Sequence, residues 1–299
     1  MAPTEVAAPS AVRRIRRMLD DAGIPLTNRR LLALCSGGVD SVVLVDLLAQ
    51  LPHGAAPRSI DVLWLDHGIR ADSDRECAAA RAVAERHGLA LHVARRSAEE
   101  AEADRAAGAG TQAAARAWRL ATAIEQARRI GADVIATGHT ASDQLEGSLL
   151  DLVGVTGPGA LRPMRMSRSL ASGVELVRPL LGLGRDAVVA CARTRELEWV
   201  EDPSNADTSR YARNAMRHDV VPLLLAAHPD AGVALARAAA REHEGADATS
   251  GLATALLHAW GVEPATDAAS QLDLRRLAEL PAPARRALLA AWLAPALGR

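Results

Sequence analysis

The chain has 299 residues, 35 basic and 36 acidic, and a formal net charge of −1, so no overall field marks it as a nucleic-acid binder and any polyanion site must be a local patch. All 35 basic residues are arginine and Phe is absent, a composition that fits a G/C-rich codon bias and removes lysine from every catalytic role. Cys35, Cys77 and Cys191 lie far apart with no C-x-x-C, which argues against a disulfide framework, a zinc ribbon or an Fe–S cluster and suggests a reduced, cytoplasmic setting.

Met1 to Arg17 carries prolines and arginines but no apolar h-region, and no run reaches the length of a membrane span, so a soluble, unprocessed protein is expected. The apolar run Leu31–Cys35 predicts a strand buried on both faces. Ser36-Gly37-Gly38-Val39-Asp40-Ser41 follows it and precedes a second apolar run, Val42–Leu48, as in a strand-to-helix phosphate turn. The paired glycines let backbone amides approach an anion, and the new helix directs its positive end to the same place. With no lysine at the required spacing this is not a G-x-x-x-x-G-K-[ST] loop. A nucleotide whose pyrophosphate is held as one unit fits better, with Asp40 able to hold Mg²⁺. A Gly-rich turn capped by Ser36 is the plain structural alternative.

Ile60–Leu65 predicts the second strand, followed by Asp66-His67-Gly68-Ile69-Arg70, where Asp66 and His67 either face a nucleotide or close a simple turn. Helical composition over Ser73–His87, a strand at Leu91–Ala94 and a mobile connection at Ser97–Gly110 come next. In the helix predicted over Thr111–Ile130, Arg116 and Arg119 share a face, as phosphate ligands or as surface residues with buried stems. Val134–Thr137 predicts the fourth strand, and Gly138-His139-Thr140-Ala141-Ser142-Asp143-Gln144-Leu145-Glu146 opens the next helix. Asp40 and Asp143 would then both lie at the carboxyl edge of one sheet, where two carboxylates can share Mg²⁺ on a triphosphate; by itself Asp143 reads as an ordinary helix-start residue.

Gly154–Pro163 reads as a turn-rich loop, Val174–Arg178 as a fifth strand and Arg185–Arg195 as a helix. Between residues 162 and 185, Arg162, Arg165, Arg168, Arg178 and Arg185 face a single acid, Glu175, an excess that can steer a polyanion or simply line a solvated loop. Glu201-Asp202-Pro203-Ser204-Asn205-Ala206-Asp207 is a cap and turn cluster. Beyond it Arg213 and Arg217 share a helical i, i+4 face that could clamp a phosphate or a developing negative charge. From Thr208 the pattern is helical, including Val233–Arg241 and a final helix near Arg285–Leu293. The alternation of strands and helices predicts an α/β fold. Its organisation is a parallel sheet with helices on both faces over residues 1–205 and a small helical domain over residues 206–299.

The chain resembles the N-type ATP-pyrophosphatase, or PP-loop, superfamily, and within it the tRNA(Ile)-lysidine synthetases. The segments that carry the resemblance are Ser36–Ser41, Asp66–Arg70, the Arg116/Arg119 pair, Gly138–Glu146, Arg178–Leu181, Glu201–Asn205, Tyr211–Arg217 and Pro222–Leu224. The glycine turn marks only the superfamily; the last three segments are more specific. The resemblance implies a Rossmann-like PP-loop ATPase domain. It also implies an enzyme that adenylates the C2 carbonyl oxygen of the wobble cytidine in the CAU anticodon of tRNA(Ile). The ε-amine of free L-lysine then displaces AMP.

ATP and Mg²⁺ are the implied cofactors, with Ser36, Gly37, Gly38, Asp40, Ser41, Asp66, His67, Arg116, Gly138 and His139 toward the nucleotide. Asp40 and Asp143 are implied as metal ligands, and Asp40, Asp143, Arg213 and Arg217 as the catalytic set. Where the family has Asp-Asp-Gln this chain has Ser142-Asp143-Gln144; a common Thr is Gly147, and a usual Arg-Gly is Gly154-Val155. These departures keep open a paralogous ligase that adenylates another carbonyl for attack by an amine. The further C-terminal tRNA-binding domain of longer members is not expected, no membrane association is expected, and the oligomeric state, a homodimer included, stays open.

Overall fold

The computed structural model describes residues 8–66, 73–97, 99, 111–153, 164–170, 173–201, 215–263, 265 and 271–294. His67, Arg213, most of Ser97–Gly110, Gly154–Pro163 and most of Glu201–Asp207 lie outside the described residues.

Among the described residues, six strands form one sheet in the order β3-β2-β1-β4-β6-β5: β1 Arg30–Leu34, β2 Ser59–Asp66, β3 Ala90–Arg95, β4 Val134–Ala136, β5 Ser167–Ser169 and β6 Glu175–Val177. β1 runs parallel to β2 and β4, with Leu31 opposite both Ile60 and Val134, and β6 continues the parallel array beside β4. β5 is antiparallel to β6, an edge strand too short and polar to read from the sequence.

Period-two alternation distributes the strand residues over two cores. Leu31, Ala33, Val62, Trp64, Val134, Ala136 and Val177 face one side, where helices α1 (Ala8–Asp21), α2 (Val39–Ala49) and α3 (Ser73–Arg86) pack. Leu32, Leu63, Ile135 and Leu176 face the other, against Ala123 and Ala127 of α4 (Thr111–Ile130). The first helix was not predicted, because arginines and prolines dominate that segment. It forms by burying the single stripe Ala11, Val12, Ile15 and Leu19. In contrast, α2 is buried all round, as its unbroken apolar run requires.

Two further helices complete the part that carries the candidate residues: α5 (Ala141–Leu152) after β4, and α6 (Arg185–Thr194) after β6. Because the chain visits β2 and β3 on one side of β1 and β4, β6 and β5 on the other, the strand order reverses between β1 and β4, and a crevice opens at their carboxyl ends.

A π-helical turn at Met216–Val220 leads into α7 (Val221–Ala227) and then α8 (Ala231–Ala259). The chain divides into compact units at residues 1–237 and 238–299, whereas the boundary expected at 205/206 falls outside the described residues. The second unit has its own small core of Ala253, Leu257, Leu277 and Leu288, built from α8, α9 (Leu274–Glu279) and α10 (Ala282–Leu293).

Candidate active site

The turn after β1 is held open from within. Ser41 Oγ accepts from the Ser36 N–H at 3.0 Å and donates to the Gly38 carbonyl at 2.8 Å, so the Ser41 hydroxyl shapes the loop. Gly37 has φ +83°, and a Cβ there would lie 2.4 Å from the Glu76 carbonyl oxygen, so only glycine fits. Gly138, after β4, abuts the same turn: a Cβ there would be 3.0 Å from the Asp40 carbonyl carbon. Both glycines therefore serve close approach, and the two loops form one surface.

Asp40 stands in the first turn of α2, and Thr140 caps α5 in a reciprocal box with Asp143. Asp143 Oδ2 accepts from the Thr140 N–H at 2.8 Å and its hydroxyl at 2.9 Å, leaving Oδ1 to Arg217 Nη2 at 3.3 Å. Arg217 also forks onto Glu146, Nε to Oε1 at 2.6 Å and Nη2 to Oε2 at 3.0 Å. Burial works against the Arg217 charge, but the Glu146 and Asp143 carboxylates outweigh it and hold its pKa above the ordinary value.

Asp40 Oδ2 accepts from Arg185 Nη1 at 2.9 Å, while Oδ1 is buried with no hydrogen-bond partner. Burial, with nearby Asp143, pushes the Asp40 carboxyl up to about 6 against the pull of Arg185 and Arg217. An orphaned, desolvated carboxylate oxygen with a second carboxylate nearby is the donor chemistry a hard divalent cation completes. Among the described residues no cluster of three or more His, Cys, Asp or Glu could hold a metal by protein groups alone, so phosphate oxygens and water would supply the remaining ligands.

Asp40, Asp143, Gly138 and Arg217 are thus brought together at the crevice. Asp66 ends β2, its carbonyl accepting from the Arg96 N–H at 2.9 Å, and His139 Nδ1 lies 2.9 Å from Thr137 Oγ1. Arg116, exposed on α4, and Arg168 both lie near enough to Arg178 to repel its charge.

Sequence reasoning did not assign Glu146 or Arg185 to the site. The i, i+3 spacing of Asp143 and Glu146 on one helix face was the available signal for the first; for Arg185 there was only its place in the arginine-rich stretch. Ser142 also has a defined role: its Oγ accepts the Arg185 N–H at 3.2 Å at the start of α6. Where the family resemblance implies a carboxylate, this chain has a hydroxyl that meets the helix end bearing Arg185.

A glycine phosphate turn, a carboxylate pair and a strand-order reversal define a nucleotide-binding α/β domain of the PP-loop class, and residues 8–224 match the family described as PP-loop domain. Within that class the chain belongs to the tRNA(Ile)-lysidine synthase family. It is 34% identical over 288 residues to the tRNA(Ile)-lysidine synthase of Parasynechococcus marenigrum, covering 94% of this chain and 80% of that one. It is 36% identical to that of Pseudomonas aeruginosa (90% of this chain, 62% of the relative) and 35% to that of Chromobacterium violaceum (86% and 56%). The chain therefore spans less than two thirds of the length of these last two relatives. Among solved structures, the U34-tRNA thiolase NcsA from Methanococcus maripaludis is similar in fold, with a TM-score of 0.62 at 18% identity and 79% of each chain covered. No helix among the described residues is long and apolar enough to cross a membrane.

Proposed function

We propose that this chain is an ATP-dependent ligase that joins L-lysine to the wobble cytidine in the CAU anticodon of tRNA(Ile), working in the cytoplasm. The observation that carries the reading is the convergence of Asp40 and Asp143 at the β1/β4 crevice, each held by an arginine. Family membership supports the substrates.

A neutral cytosine carbonyl is a poor electrophile. Attack of its C2 oxygen on the α-phosphorus of ATP breaks the bond to pyrophosphate and turns that oxygen into part of a leaving group. The lysine ε-amine, once it has lost a proton, then forms a bond to C2 as the C2–O bond breaks and AMP departs. Backbone amides of Gly37 and Gly38 and the N-terminus of α2 suit the phosphates. Asp66 and His67 suit the nucleoside side, and Gly138 and His139 line the loop facing the turn. Asp40 and Asp143 would hold Mg²⁺, which supplies charge neutralisation for the departing pyrophosphate. Arg217, or Arg213 four positions earlier, is suited to offset charge developing at the α-phosphate.

The cytidine must leave the anticodon stack to reach the strand edge. Incubation with ATP, labelled lysine and unmodified tRNA bearing CAU is expected to label the RNA with release of pyrophosphate, and Asp40→Ala to abolish it. Unlabelled RNA beside an active control enzyme would overturn the reading; pyrophosphate release that needs an amine but no RNA would favour the paralogous ligase.

A further inference from the structure

Arg178 follows β6 at the carboxyl edge of the sheet, its N–H donating to the Met166 carbonyl at 2.8 Å. It is only 6% exposed. Its Nη1 donates to the Arg165 carbonyl at 2.6 Å, and its Nε is buried with no hydrogen-bond partner. Among the described residues no carboxylate pairs with it. Burial first, then the neighbouring charges of Arg168 and Arg116, lower its pKa to about 10.

The strand register accounts for this grouping. Arg168 stands opposite Leu176 in the antiparallel pair, and Arg178, two residues beyond Leu176, projects from the same face of the sheet. Leu176 packs with Ala123 and Ala127, so α4 covers that face, and Arg116 lies on α4 two turns before Ala123. Arg116 and Arg168 are exposed, so a ligand can reach the group from solvent.

Desolvating a guanidinium beside two like charges is unfavourable, and such groups in folded proteins are ordinarily paired. A phosphate arriving among the three removes the repulsion and meets the planar donor forks they offer.

We propose that Arg116, Arg168 and Arg178 form a binding site for a phosphodiester of the RNA substrate. This rests on the reading that the acceptor is RNA. The triphosphate is assigned to the turn after β1, and the nucleoside to Asp66 on the β2 side. Arg168 on β5 and Arg178 just after β6 stand on the other side of β4, and the acceptor is assigned to that side.

The test measures binding of an anticodon stem-loop RNA bearing CAU, and separately of ATP, to the wild-type chain and to Arg178→Met, Arg168→Gln and Arg116→Gln. Each substitution is expected to weaken RNA binding about tenfold and to lower the slope of log affinity against log salt by about one, and Arg178→Met and Arg168→Gln are expected to leave ATP binding unchanged. Arg178→Met is also expected to raise the melting temperature of the free protein, since a repelled buried charge is gone. RNA affinity and salt slope unchanged in both Arg178→Met and the exposed Arg168→Gln would overturn the proposal. So would weakened ATP binding with RNA binding intact, which would give the site to the nucleotide. A wild-type chain that binds CAU and unrelated stem-loops alike, with the same losses in the variants, would sink the tRNA(Ile) reading while leaving this site standing. A wild-type chain that binds no RNA overturns both.

Discussion

Arg185 Nη1 lies 2.9 Å from Asp40 Oδ2, tying the start of α6 to the start of α2 across 145 positions of sequence. The contact opposes the burial that lifts the Asp40 carboxyl to about 6. Removing it leaves burial and Asp143 less opposed, so Arg185→Met is expected to move the acid limb of the pH–rate profile upward, with Arg185→Lys restoring part of the shift. An unmoved limb in Arg185→Met would mean that Asp40 is not the group titrating there.

Asp40 also links pH to stability. Its carboxyl binds a proton more tightly in the fold than in the unfolded chain, where the ordinary value is 3.8. Its contribution therefore favours the fold below about pH 4 and is lost as pH rises through about 6. At pH 8 the ionised carboxylate opposes folding, and Asp40→Asn is expected to stabilise the free protein by on the order of 2 kcal/mol while abolishing catalysis. Thermal unfolding at both pH values checks this: the gain should disappear at pH 4, and equal gains at both would contradict the linkage.

Glu146 is 1% exposed, and Arg217 donates to both of its oxygens. Arg217→Met removes a two-pronged charge-assisted contact from a buried carboxylate and is expected to cost about 3–5 kcal/mol in denaturant unfolding. Adding Glu146→Leu should recover part of that loss, because the buried charge is then gone, and activity should stay lost. A single variant of wild-type stability would mean that the pair contributes nothing to the fold.

The two glycines of the phosphate turn are expected to behave differently. Gly37→Ala places a Cβ 2.4 Å from the Glu76 oxygen at φ +83°, which forces the turn to move and should cost more than about 2 kcal/mol together with nucleotide binding. Gly38→Ala meets nothing nearer than Ser36 Oγ at 3.6 Å, so it should keep the melting temperature and weaken only the approach of the phosphates. Equal melting temperatures in the two variants would rule out this account of the turn.

Ser142→Asp keeps an acceptor for the Arg185 N–H and puts a negative charge near the N-terminus of α6. Its effect on stability should stay within about 1 kcal/mol. A second carboxylate near Asp143 should lower the Mg²⁺ concentration needed for half-maximal ATP turnover. Titration of Mg²⁺ against rate measures this, and a higher requirement would speak against metal at that edge.

Much of this protein could be read along the chain. Strands at Leu31–Cys35, Ile60–Leu65, Leu91–Ala94 and Val134–Thr137 were anticipated to within a residue or so of their observed ends. An apolar run buried on both faces leaves a signal that needs no partner to be recognised. The segments that escaped are those whose order comes from elsewhere. Ser167–Ser169 is a strand only because β6 offers it an edge, and Ala8–Asp21 is a helix only because its stripe of four apolar residues finds the face beside α2.

Residues 36–41 and 138–146 carry their chemical meaning in their order: glycines, a cap and an acid packed within one turn can be recognised wherever the chain goes, since they act through their own backbone. Which charge meets which cannot be read in that way. The partnership of Arg185 with Asp40, the fork of Arg217 onto Glu146 and the gathering of Arg116, Arg168 and Arg178 join segments 145, 71 and tens of residues apart. Electrostatic pairing acts over a few ångströms of space, and only the strand order and the helices packed on each face of the sheet bring those segments that close.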